Sequence, residues 1–481
     1  MSILERKFEL YLYFCVAMFF FLLGIVLFHS FGYKYNIDEN RTVQTGAIII
    51  KSTPEDVDVF INNKIFINNR TITNLFSDFI KIGGLKNDIY NIKIKKDKYW
   101  EWEKNIEVKS GYITELKNIV LLKNNYSKNI LLSKIRIDPD SNNLFISDNK
   151  DRIIYAKDIN KVKSLFIYNI NNNSEIEMSR YNKFMFNNFK NKYSVENIIW
   201  PDNNSKVIIK TKNEKSTEYH LINLEDNYRV YNVSFIFENN DYIKNNWNFD
   251  FNSDTIFFIK EGTLFKYSFK KPVLTKIMND ISSFVVKNGY VYYIKKNDNV
   301  LYYKYLNAYS IENKIIILPK NNISNLTYKI VISDINTYLI FSSDGILYFI
   351  DKRNNIHTIN HSTSNASFSN NNERILYNND HEIWIYYIEE KISQPSKKKA
   401  TNELVTRFSG NISNISLYKD EEHIFYKEGD TYKLTEVDNR DKKNIYEIID
   451  LTDNNIFYLN NSNSLYYLKN DKLIQLNLNE Q

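Results

Sequence analysis

A long apolar run lies near the beginning of the chain, from Leu10 to Phe28, and it contains no charged residue. At about 1.5 Å of rise per residue, roughly 20 apolar residues cross the hydrocarbon core of a bilayer. We therefore predict a transmembrane signal-anchor helix over residues 10–33. A cleaved secretory signal is the alternative, but its apolar segment is usually roughly 7–15 residues long and is followed by a small-x-small pair, which is not found here. Cys15 lies inside the run and is expected to face lipid or a partner helix.

The flanks of this run predict its orientation. Arg6 and Lys7 precede the run, and no comparable basic cluster follows it closely, although Lys34 and Arg41 come soon after. By the positive-inside rule, residues 1–9 form a short cytoplasmic tail, and the residues after the helix are extracytoplasmic. We expect a single-pass cell membrane protein that contacts the bilayer through this helix.

Beyond the helix, residues 34–44 are polar and without periodicity, which predicts a short stalk. From Thr45 the pattern changes to alternation, the period of a half-buried strand. In Ile89–Lys95, for example, Tyr90, Ile92 and Ile94 share one face. Similar runs are Gly46–Ser52, Val57–Ile61, Trp102–Val108 and Ile113–Leu122, and they are separated by turn signals such as Asn62-Asn63 and Ser110-Gly111. These strands predict a small β-sandwich over residues 45–123.

The sandwich resembles a PEGA domain, a β-sandwich module of surface proteins. The resemblance rests on spaced residues in matching order: Gly46, Ser52, Pro54, Glu55, Val59, Ile61, Lys64, Leu85, Tyr90, Ile92, Lys96, Tyr99, Val108 and Gly111. It departs from the family pattern at Asp56-Val57, where the family has Gly-Ala, and at Asp88, where the family has Gly. The resemblance implies an envelope or surface location and carries no catalytic residues.

From Lys128 to Gln481 the chain is a loose repeat of strand, Asp/Asn turn and strand. The clearest copies begin at Ile135, Ile198 and Trp247, and weaker copies begin near Ser282, Tyr328, Ala366, Ile412 and Leu451. Such units cannot bury their own faces, so at this length they predict a radial arrangement, a β-propeller of seven or eight blades over residues 128–481. Apolar runs such as Thr255–Ile259 and Lys314–Leu318 are expected to be inner strands that are buried on both faces. Lys128–Leu132 is expected to complete the last unit and close the ring.

This second portion is similar to TolB-like propellers, whose repeat carries a Trp-Ser-Pro-Asp-Gly-type turn. Trp200-Pro201-Asp202 and Phe368-Ser369-Asn370 resemble that turn. His381–Tyr386 and the tract from Thr406–Ser409 through Glu436–Arg440 resemble stretches of membrane-anchored bacterial proteins that join a PEGA module to such a propeller. The predicted fold class is therefore all-β: an N-terminal transmembrane helix, a PEGA-like sandwich and a TolB-like (WD-repeat-like) propeller.

Composition excludes some classes of function. The 63 Lys and Arg residues are interleaved with 57 Asp and Glu residues, so no basic footprint for nucleic acid is present. The basic run Lys397-Lys398-Lys399 is interpreted as a solvated loop, with contact to an anionic lipid or polymer as the alternative. Because Cys15 is the only cysteine, the outer portion has no disulfide or cysteine metal site. Asn runs such as 171–173 and 370–372 are interpreted as turn residues, since Asn tolerates left-handed backbone.

A search of the sequence for catalytic chemistry yields no catalytic, cofactor-binding or metal residue. The six histidines are scattered and form no His-Glu-x-x-His motif: His29, His220, His357, His361, His381 and His423. Nucleophile elbows and phosphate-binding loops are absent from the sequence. Asp138-Pro139-Asp140 and Asp438–Asp441 are acidic, but they are interpreted as turns rather than calcium loops. Trp100-Glu101-Trp102 could stack on sugar, yet strand packing is the favoured interpretation.

Two hypotheses about function follow. The first is a non-enzymatic, membrane-anchored envelope protein whose propeller is a scaffold for a protein or a cell-envelope polymer. The second is a hydrolase or lyase that acts on envelope glycan in the propeller funnel. An enzyme predicts several titratable residues converging in the funnel, whereas a binding protein predicts an aromatic or uncharged lining.

Overall fold

The computed structural model describes residues 3–30, 32–36, 40–67, 79–133, 145–147, 149–159, 162–178, 194–200, 205–212, 216–237, 247–249, 255–296, 299–306, 311–319, 326–451 and 456–479. Its first element is the helix α1 (Ile3–Ser30). Within it, Tyr11–Phe28 has a mean hydropathy of 2.5 and is long and apolar enough to cross a membrane, as an anchor or as a signal sequence. The predicted apolar helix is therefore confirmed, but it ends at Ser30 rather than at residue 33. Cys15 is exposed on its surface.

The stretch predicted to be a short stalk contains a two-stranded hairpin. Strands β1 (Tyr33–Asn36) and β2 (Arg41–Gln44) pair in antiparallel register. The Tyr33 ring stacks on Phe28 at 5.4 Å between centroids, which holds the hairpin against the end of the helix. The backbone N–H of Thr45 donates to the Gly32 carbonyl at 2.8 Å, so the start of the next unit lies beside the end of the helix.

Two sheets that share one core follow the hairpin, and we call them the two-sheet module. Its strands are β3 (Gly46–Thr53), β4 (Asp58–Ile61), β5 (Lys64–Ile67), β6 (Ile80–Leu85), β7 (Asp88–Lys95), β8 (Trp102–Val108) and β9 (Ile113–Val120). One sheet has the order β6-β3-β9 and the other β5-β4-β7-β8. In β7, Ile92 and Ile94 are fully buried in the shared core, as the alternation predicts. The predicted strands are all present within one or two residues of their expected bounds.

Within the described residues, the rest of the chain forms eight four-stranded antiparallel sheets, which we call ring sheets 1 to 8. Ring sheets 1 to 4 consist of β11 (Phe145–Ile146), β12 (Arg152–Ile159), β13 (Val162–Asn169) and β14 (Ser174–Glu177); β15 (Ser194–Ile199), β16 (Lys206–Lys212), β17 (Thr217–Asn223) and β18 (Arg229–Asn232); β19 (Trp247–Phe249), β20 (Thr255–Lys260), β21 (Thr263–Ser268) and β22 (Val273–Met278); and β23 (Ile281–Lys287), β24 (Tyr290–Lys295), β25 (Val300–Tyr305) and β26 (Asn313–Ile317). A single turn of helix, α2 (Ser234–Phe237), follows β18.

Ring sheets 5 to 8 complete the series. They consist of β27 (Tyr328–Ile332), β28 (Tyr338–Ser342), β29 (Leu347–Ile350) and β30 (Ile356–Asn360); β31 (Asn365–Phe368), β32 (Arg374–Asn378), β33 (Glu382–Tyr387) and β34 (Thr401–Arg407); β35 (Ile412–Leu417), β36 (His423–Glu428), β37 (Thr431–Glu436) and β38 (Ile445–Asp450); and β39 (Ile456–Leu459), β40 (Ser464–Lys469) and β41 (Lys472–Asn477) with β10 (Lys128–Ser133). The pairing of β10 with β41 confirms the prediction that Lys128–Leu132 supplies the strand that the last unit needs.

The ring sheets pack on one another in sequence and close on themselves. A buried apolar cluster joins each sheet to the next, from ring sheet 1 through to ring sheet 8. A further cluster, which includes Tyr155, Tyr168 and Tyr466, joins ring sheet 8 back to ring sheet 1. First strands of neighbouring sheets also approach each other, as β19, β23 and β27 do, so these strands face the centre of the ring. This closed ring of radial sheets is a β-propeller.

Six of the predicted repeat starts coincide with first strands of ring sheets, at β15, β19, β23, β27, β31 and β35, and the copy near Leu451 starts shortly before β39, the first strand of ring sheet 8. The copy at Ile135 lies outside the described residues. The run Lys314–Leu318 was predicted to be an inner strand buried on both faces, and this is wrong. It contains most of β26, which is the outer edge strand of ring sheet 4, and Ile317 is 51% exposed. An apolar run gives no information on which position its strand takes in the sheet. The predicted Asn turns are confirmed at Asn173 and Asn372, whose φ angles of 53° and 57° are left-handed.

The two-sheet module is docked on the ring through a buried ion pair. The Nζ of Lys104 in β8 lies 3.1 Å from the carboxylate of Glu436, and both side chains are almost fully buried. The same ammonium donates to the Asp438 carbonyl at 2.7 Å. The indole N–H of Trp102 donates to Glu436 at 3.0 Å. A buried charge pair needs such supporting hydrogen bonds to offset its loss of hydration, so this contact fixes one orientation of the module.

The edge of β8 makes the second part of this contact. Backbone N–H groups of Glu103 and Asn105 donate to the side chains of Asn444 at 3.3 Å and Asp441 at 2.7 Å. On the other sheet, Gln394 accepts from the N–H of Glu115 at 3.0 Å. Because an exposed sheet edge is a template for pairing with other chains, the ring protects this edge as well as holding it.

Candidate functional site

The candidate site is a cavity of about 360 Å³ at the centre of the ring, between the first strands of ring sheets 6, 7 and 8. Its lining consists of three amides, hydroxyl groups, apolar and aromatic side chains and one lysine: Asn365, Asn378, Asn414, Ser413, Ser416, Tyr432, Tyr458, Ile415, Ile456, Phe457 and Lys150. This volume lies within the roughly 300–1,000 Å³ of small-molecule sites in proteins. We call it the central cavity.

A β-bulge shapes one wall of the central cavity. In ring sheet 7, Ser413 pairs with Lys427 and Ser416 pairs with Phe425, so β35 carries one residue more than β36 over this interval. Asn414, inside the bulge, has a left-handed φ of 50°. Bulges turn side chains away from strict alternation and are common beside functional sites. Here the bulge brings three consecutive residues and Ser416 to the same cavity.

Two buried hydroxyl groups lie in the wall behind the bulge. The Tyr432 side chain is fully buried, and neither its hydroxyl nor the Ser416 Oγ makes a hydrogen bond of ordinary geometry among the described residues. Burial raises the pKa of Tyr432, and the neighbouring Ser416 hydroxyl offsets this only in part. The two hydroxyl groups therefore lie next to each other within the wall.

Lys150 is the only cation in the described lining. It stands in the turn between β11 and β12 of ring sheet 1, and its Nζ donates to the Tyr458 carbonyl of the neighbouring ring sheet 8 at 3.2 Å. Burial lowers the pKa of this ammonium group. No carboxylate or histidine is among the described lining residues, whose titratable side chains are Lys150, Tyr432 and Tyr458.

The histidines do not come together in the described structure. His423 is buried with its Nδ1 2.7 Å from Asp420, and although burial alone lowers its pKa, the Asp420 carboxylate raises it overall. His220 lies 3.1 Å from Glu218 and His357 lies 3.4 Å from Asp351. Among the described residues, no group of three or more His, Cys, Asp or Glu side chains could hold a metal ion.

The acidic and aromatic motifs of the sequence have structural positions. Asp438 forms an ion pair with Arg440 at 2.6 Å and lies in the contact between module and ring, as does Asp441. Trp102 is buried, which agrees with strand packing, whereas its neighbour Trp100 is 47% exposed. Asp138-Pro139-Asp140 lies outside the described residues.

The basic run Lys397–Lys399 is partly neutralised. Lys397 pairs with Glu403 at 2.7 Å and Lys399 pairs with Glu389 at 2.9 Å, while Lys398 is exposed. The run is therefore a loop with one exposed cation between two ion pairs, which gives little support for a separate anionic partner.

A buried charge network lies between ring sheets 6 and 7. Glu422 accepts from Arg374 and from Lys391, each at 2.7 Å, and all three side chains are at most 10% exposed. The Arg374 guanidinium also lies 5.5 Å from the centroid of the Tyr387 ring, and the Tyr387 hydroxyl donates to Glu403 at 2.8 Å. This network stands apart from the central cavity and joins two sheets.

The sequence did not indicate the residues of the central cavity. Asn and Ser are abundant throughout the chain, so Asn365, Asn378 and Ser413 carry no distinctive pattern. The one available signal is the break in alternation at Ser413–Ser416, where a polar run interrupts an apolar strand.

No family model matches this sequence, and no curated protein matches it. Solved structures with a similar arrangement are the Dos1 propeller, at 10% identity and a TM-score of 0.44 over 74% of this chain and 95% of that chain, and the β-propeller domain of Cps50 (Swd1) from Myceliophteria thermophila, at 9% identity and a TM-score of 0.37 over 73% and 100%. Another is virginiamycin B lyase from Staphylococcus aureus, at 12% identity and a TM-score of 0.33 over 59% and 94%. At these scores the similarities give no argument about function, and the fold assignment stands on the ring of sheets described above.

Proposed function

We propose that this chain is a non-enzymatic, membrane-anchored envelope protein whose propeller is a rigid scaffold for a protein or envelope polymer. In this proposal residues 1–9 are cytoplasmic, the apolar helix from residue 10 to Ser30 forms the anchor, the hairpin of residues 33–44 leads to a PEGA-like module over 45–123, and residues 128–481 form a TolB-like propeller. The eight ring sheets are its eight blades.

The observation that carries the proposal is the lining of the central cavity. Amides, hydroxyl groups and aromatic rings lie around the half-buried ammonium of Lys150, the one cation among the described lining residues. Such a lining offers hydrogen bonds and apolar contact to a polar ligand, and its described residues include neither a carboxylate nor a histidine.

The docking of the module supports a scaffold role. Lys104 and Glu436 form a buried pair between the module and the ring, and further hydrogen bonds surround it. A propeller held in this way keeps a fixed orientation relative to the two-sheet module, so whatever it binds is presented at a defined position relative to that module.

A binding experiment with the full chain in phosphatidylcholine nanodiscs tests the proposal. Fractionated envelope polymers and proteins are passed over the immobilised wild-type chain and over Ser416→Phe, which fills the cavity, with Ser396→Phe at an exposed loop position as the matched control. We expect the wild type to retain at least one component. The amount retained should fall by at least about tenfold on Ser416→Phe and stay unchanged on the control. Asn365→Ala, at an exposed position in the lining, is expected to weaken retention without affecting folding.

Two outcomes would overturn the proposal. Equal retention by the wild type and Ser416→Phe, with both folded by circular dichroism, would show that the central cavity is not the binding site. Release of a low-molecular-weight product from a retained polymer would favour the hydrolase or lyase hypothesis.

A further inference from the structure

A second concave surface lies on the two-sheet module, away from the central cavity. The turn after β7 and the segment after β9 enclose about 740 Å³, lined by Lys96, Asp97, Lys98, Tyr99, Lys123, Asn124 and Asn125. We call it the lysine groove.

The floor of the lysine groove is built by backbone hydrogen bonds between the two segments. Asn124 donates its backbone N–H to the Lys98 carbonyl at 3.0 Å, and Trp100 donates its backbone N–H to the Leu122 carbonyl at 2.8 Å. Tyr99 and Lys123 form an antiparallel bridge. The left-handed φ of 67° at Lys98 tightens the turn. The groove is therefore formed before any ligand binds, which reduces the entropy lost on binding.

The side chains combine positive charge, an aromatic ring and amides. The ammonium groups of Lys96 and Lys123 lie 5.6 Å and 5.9 Å from the centroid of the Tyr99 ring, so two cations flank one ring. Three lysines outnumber the single Asp97. Trp100, which follows directly in the sequence, is 47% exposed. Cations suit carboxylate or phosphate groups, amides suit hydroxyl groups, and exposed rings suit the apolar face of a sugar.

The position of the groove favours a polymer as its occupant over the lipid of the anchoring membrane. Strand β8 begins at Trp102, beside the groove, and ends at Val108, at the opposite end of the module. At that opposite end, the Lys109 carbonyl accepts a hydrogen bond from the backbone N–H of Tyr112. That opposite end contacts Thr45, which lies beside the end of the helix α1. Seven strand residues span six intervals of about 3.3 Å, so the groove lies about 20 Å along β8 from the end of the module that contacts the helix.

We propose that the lysine groove binds an acidic polysaccharide, with its carboxylate or phosphate groups at Lys96 and Lys123, its hydroxyl groups at Asn124 and Asn125, and a sugar ring against Tyr99. The proposal depends on the proposed function only in that an envelope polymer is the natural occupant at this distance from the bilayer. It is independent of the central cavity, because the two sites share no residue.

The test uses the full chain in phosphatidylcholine nanodiscs and oligogalacturonate as the acidic probe, with its uncharged methyl ester beside it. The groove variant is Lys96→Gln/Lys123→Gln, and the charge-matched control is Lys64→Gln/Lys81→Gln at two exposed positions elsewhere on the module. We expect the groove variant to lose about tenfold in affinity for oligogalacturonate, since each charge contact of a half-buried lysine contributes modestly, and the control to lose less than about twofold. Tyr99→Leu, which keeps an apolar side chain in the partly buried position, is expected to weaken binding further.

Further measurements make the proposal falsifiable. Affinity is expected to fall as salt rises from about 0.05 to 0.5 M, because exposed charges are screened over a Debye length of about 10 Å at 0.1 M. Equal affinity for the methyl ester, or equal loss in groove and control variants, would overturn the proposal. Binding to phosphatidylglycerol vesicles but not to oligogalacturonate would assign the groove to lipid headgroups instead. Ser416→Phe is expected to bind oligogalacturonate like the wild type, so failure of the central-cavity proposal and failure of this one are distinguishable.

Discussion

The buried pair between the module and the ring gives the sharpest prediction from this structure. Lys104→Met removes an ammonium group that lies 3.1 Å from Glu436 and donates to the Asp438 carbonyl at 2.7 Å. The Glu436 carboxylate then stays buried, with hydrogen bonds from Trp102 and from Asn444 but without its cation. Breaking a buried pair by removing one partner costs about 3–5 kcal/mol. We take about 3 kcal/mol, because the remaining donors still bind the carboxylate.

Hydrogen exchange at the docked edge measures this loss locally. The backbone amides of Glu103 and Asn105 donate to side chains of the ring, so they exchange only when the contact opens. A loss of about 3 kcal/mol speeds their exchange by about 100-fold. Amides within the core of ring sheet 5, such as those of Leu339 and Ile340, are expected to keep the wild-type rate.

Matched variants separate the charge pair from a general loss of packing. Lys93→Met breaks a partly exposed ion pair with Glu103, which joins β7 to β8. It is expected to change the exchange rates of the Glu103 and Asn105 amides by less than about fivefold. The double variant Lys104→Met/Glu436→Gln is expected to recover part of the loss, because no uncompensated charge remains. If Lys104→Met left the exchange of Glu103 and Asn105 unchanged, the reasoning that the ion pair holds the module in place would be refuted.

Three further predictions concern the ring and the anchor. Glu422→Gln leaves two buried cations without their carboxylate and is expected to lower the free energy of unfolding by about 3 kcal/mol in urea titrations. Glu389→Gln, in an exposed ion pair, is expected to lower it by less than about 1 kcal/mol. Equal effects of the two variants would contradict the assigned burial. Burial lowers the pKa of Lys443 to about 8, so the unfolded chain binds more protons between about pH 8 and the unfolded value near 10.5, and wild-type stability is expected to rise across that window relative to Lys443→Met. A stability difference that did not change with pH would count against this. The apolar helix with Tyr11–Phe28 at its centre is expected to keep the chain in vesicles through a carbonate wash at about pH 11, and recovery of the intact chain in the supernatant would exclude the anchor.

Local patterns predicted the elements of this protein well, because they depend only on neighbouring residues. The absence of charge over Leu10–Phe28 was sufficient for an apolar helix, and alternation in Ile89–Lys95 was sufficient for a half-buried strand. Asn in turns predicted left-handed backbone, since its side chain tolerates that region. The closing strand Lys128–Leu132 was also predictable, because a repeat that lacks one strand at its end needs one from elsewhere in the chain.

Position within the tertiary structure was not predictable from such patterns. Lys314–Leu318 has the apolar run of a central strand, yet it forms the outer edge of its sheet, because order in a sheet depends on pairing and not on composition. The hairpin in residues 33–44 was missed as well, since its stability comes partly from contact with the end of the helix.

The sequence by itself determined an apolar helix near the beginning of the chain, a strand-rich body in two parts and the absence of recognisable catalytic motifs. Only the tertiary structure decided which side chains meet. Lys104 and Asp438 are 334 positions apart in the chain, and the central cavity joins a turn of ring sheet 1 to strands of ring sheets 6 to 8. The physical reason is that alternation fixes which face of a strand is buried, whereas the closure of the ring and the docking of the module fix what that face touches.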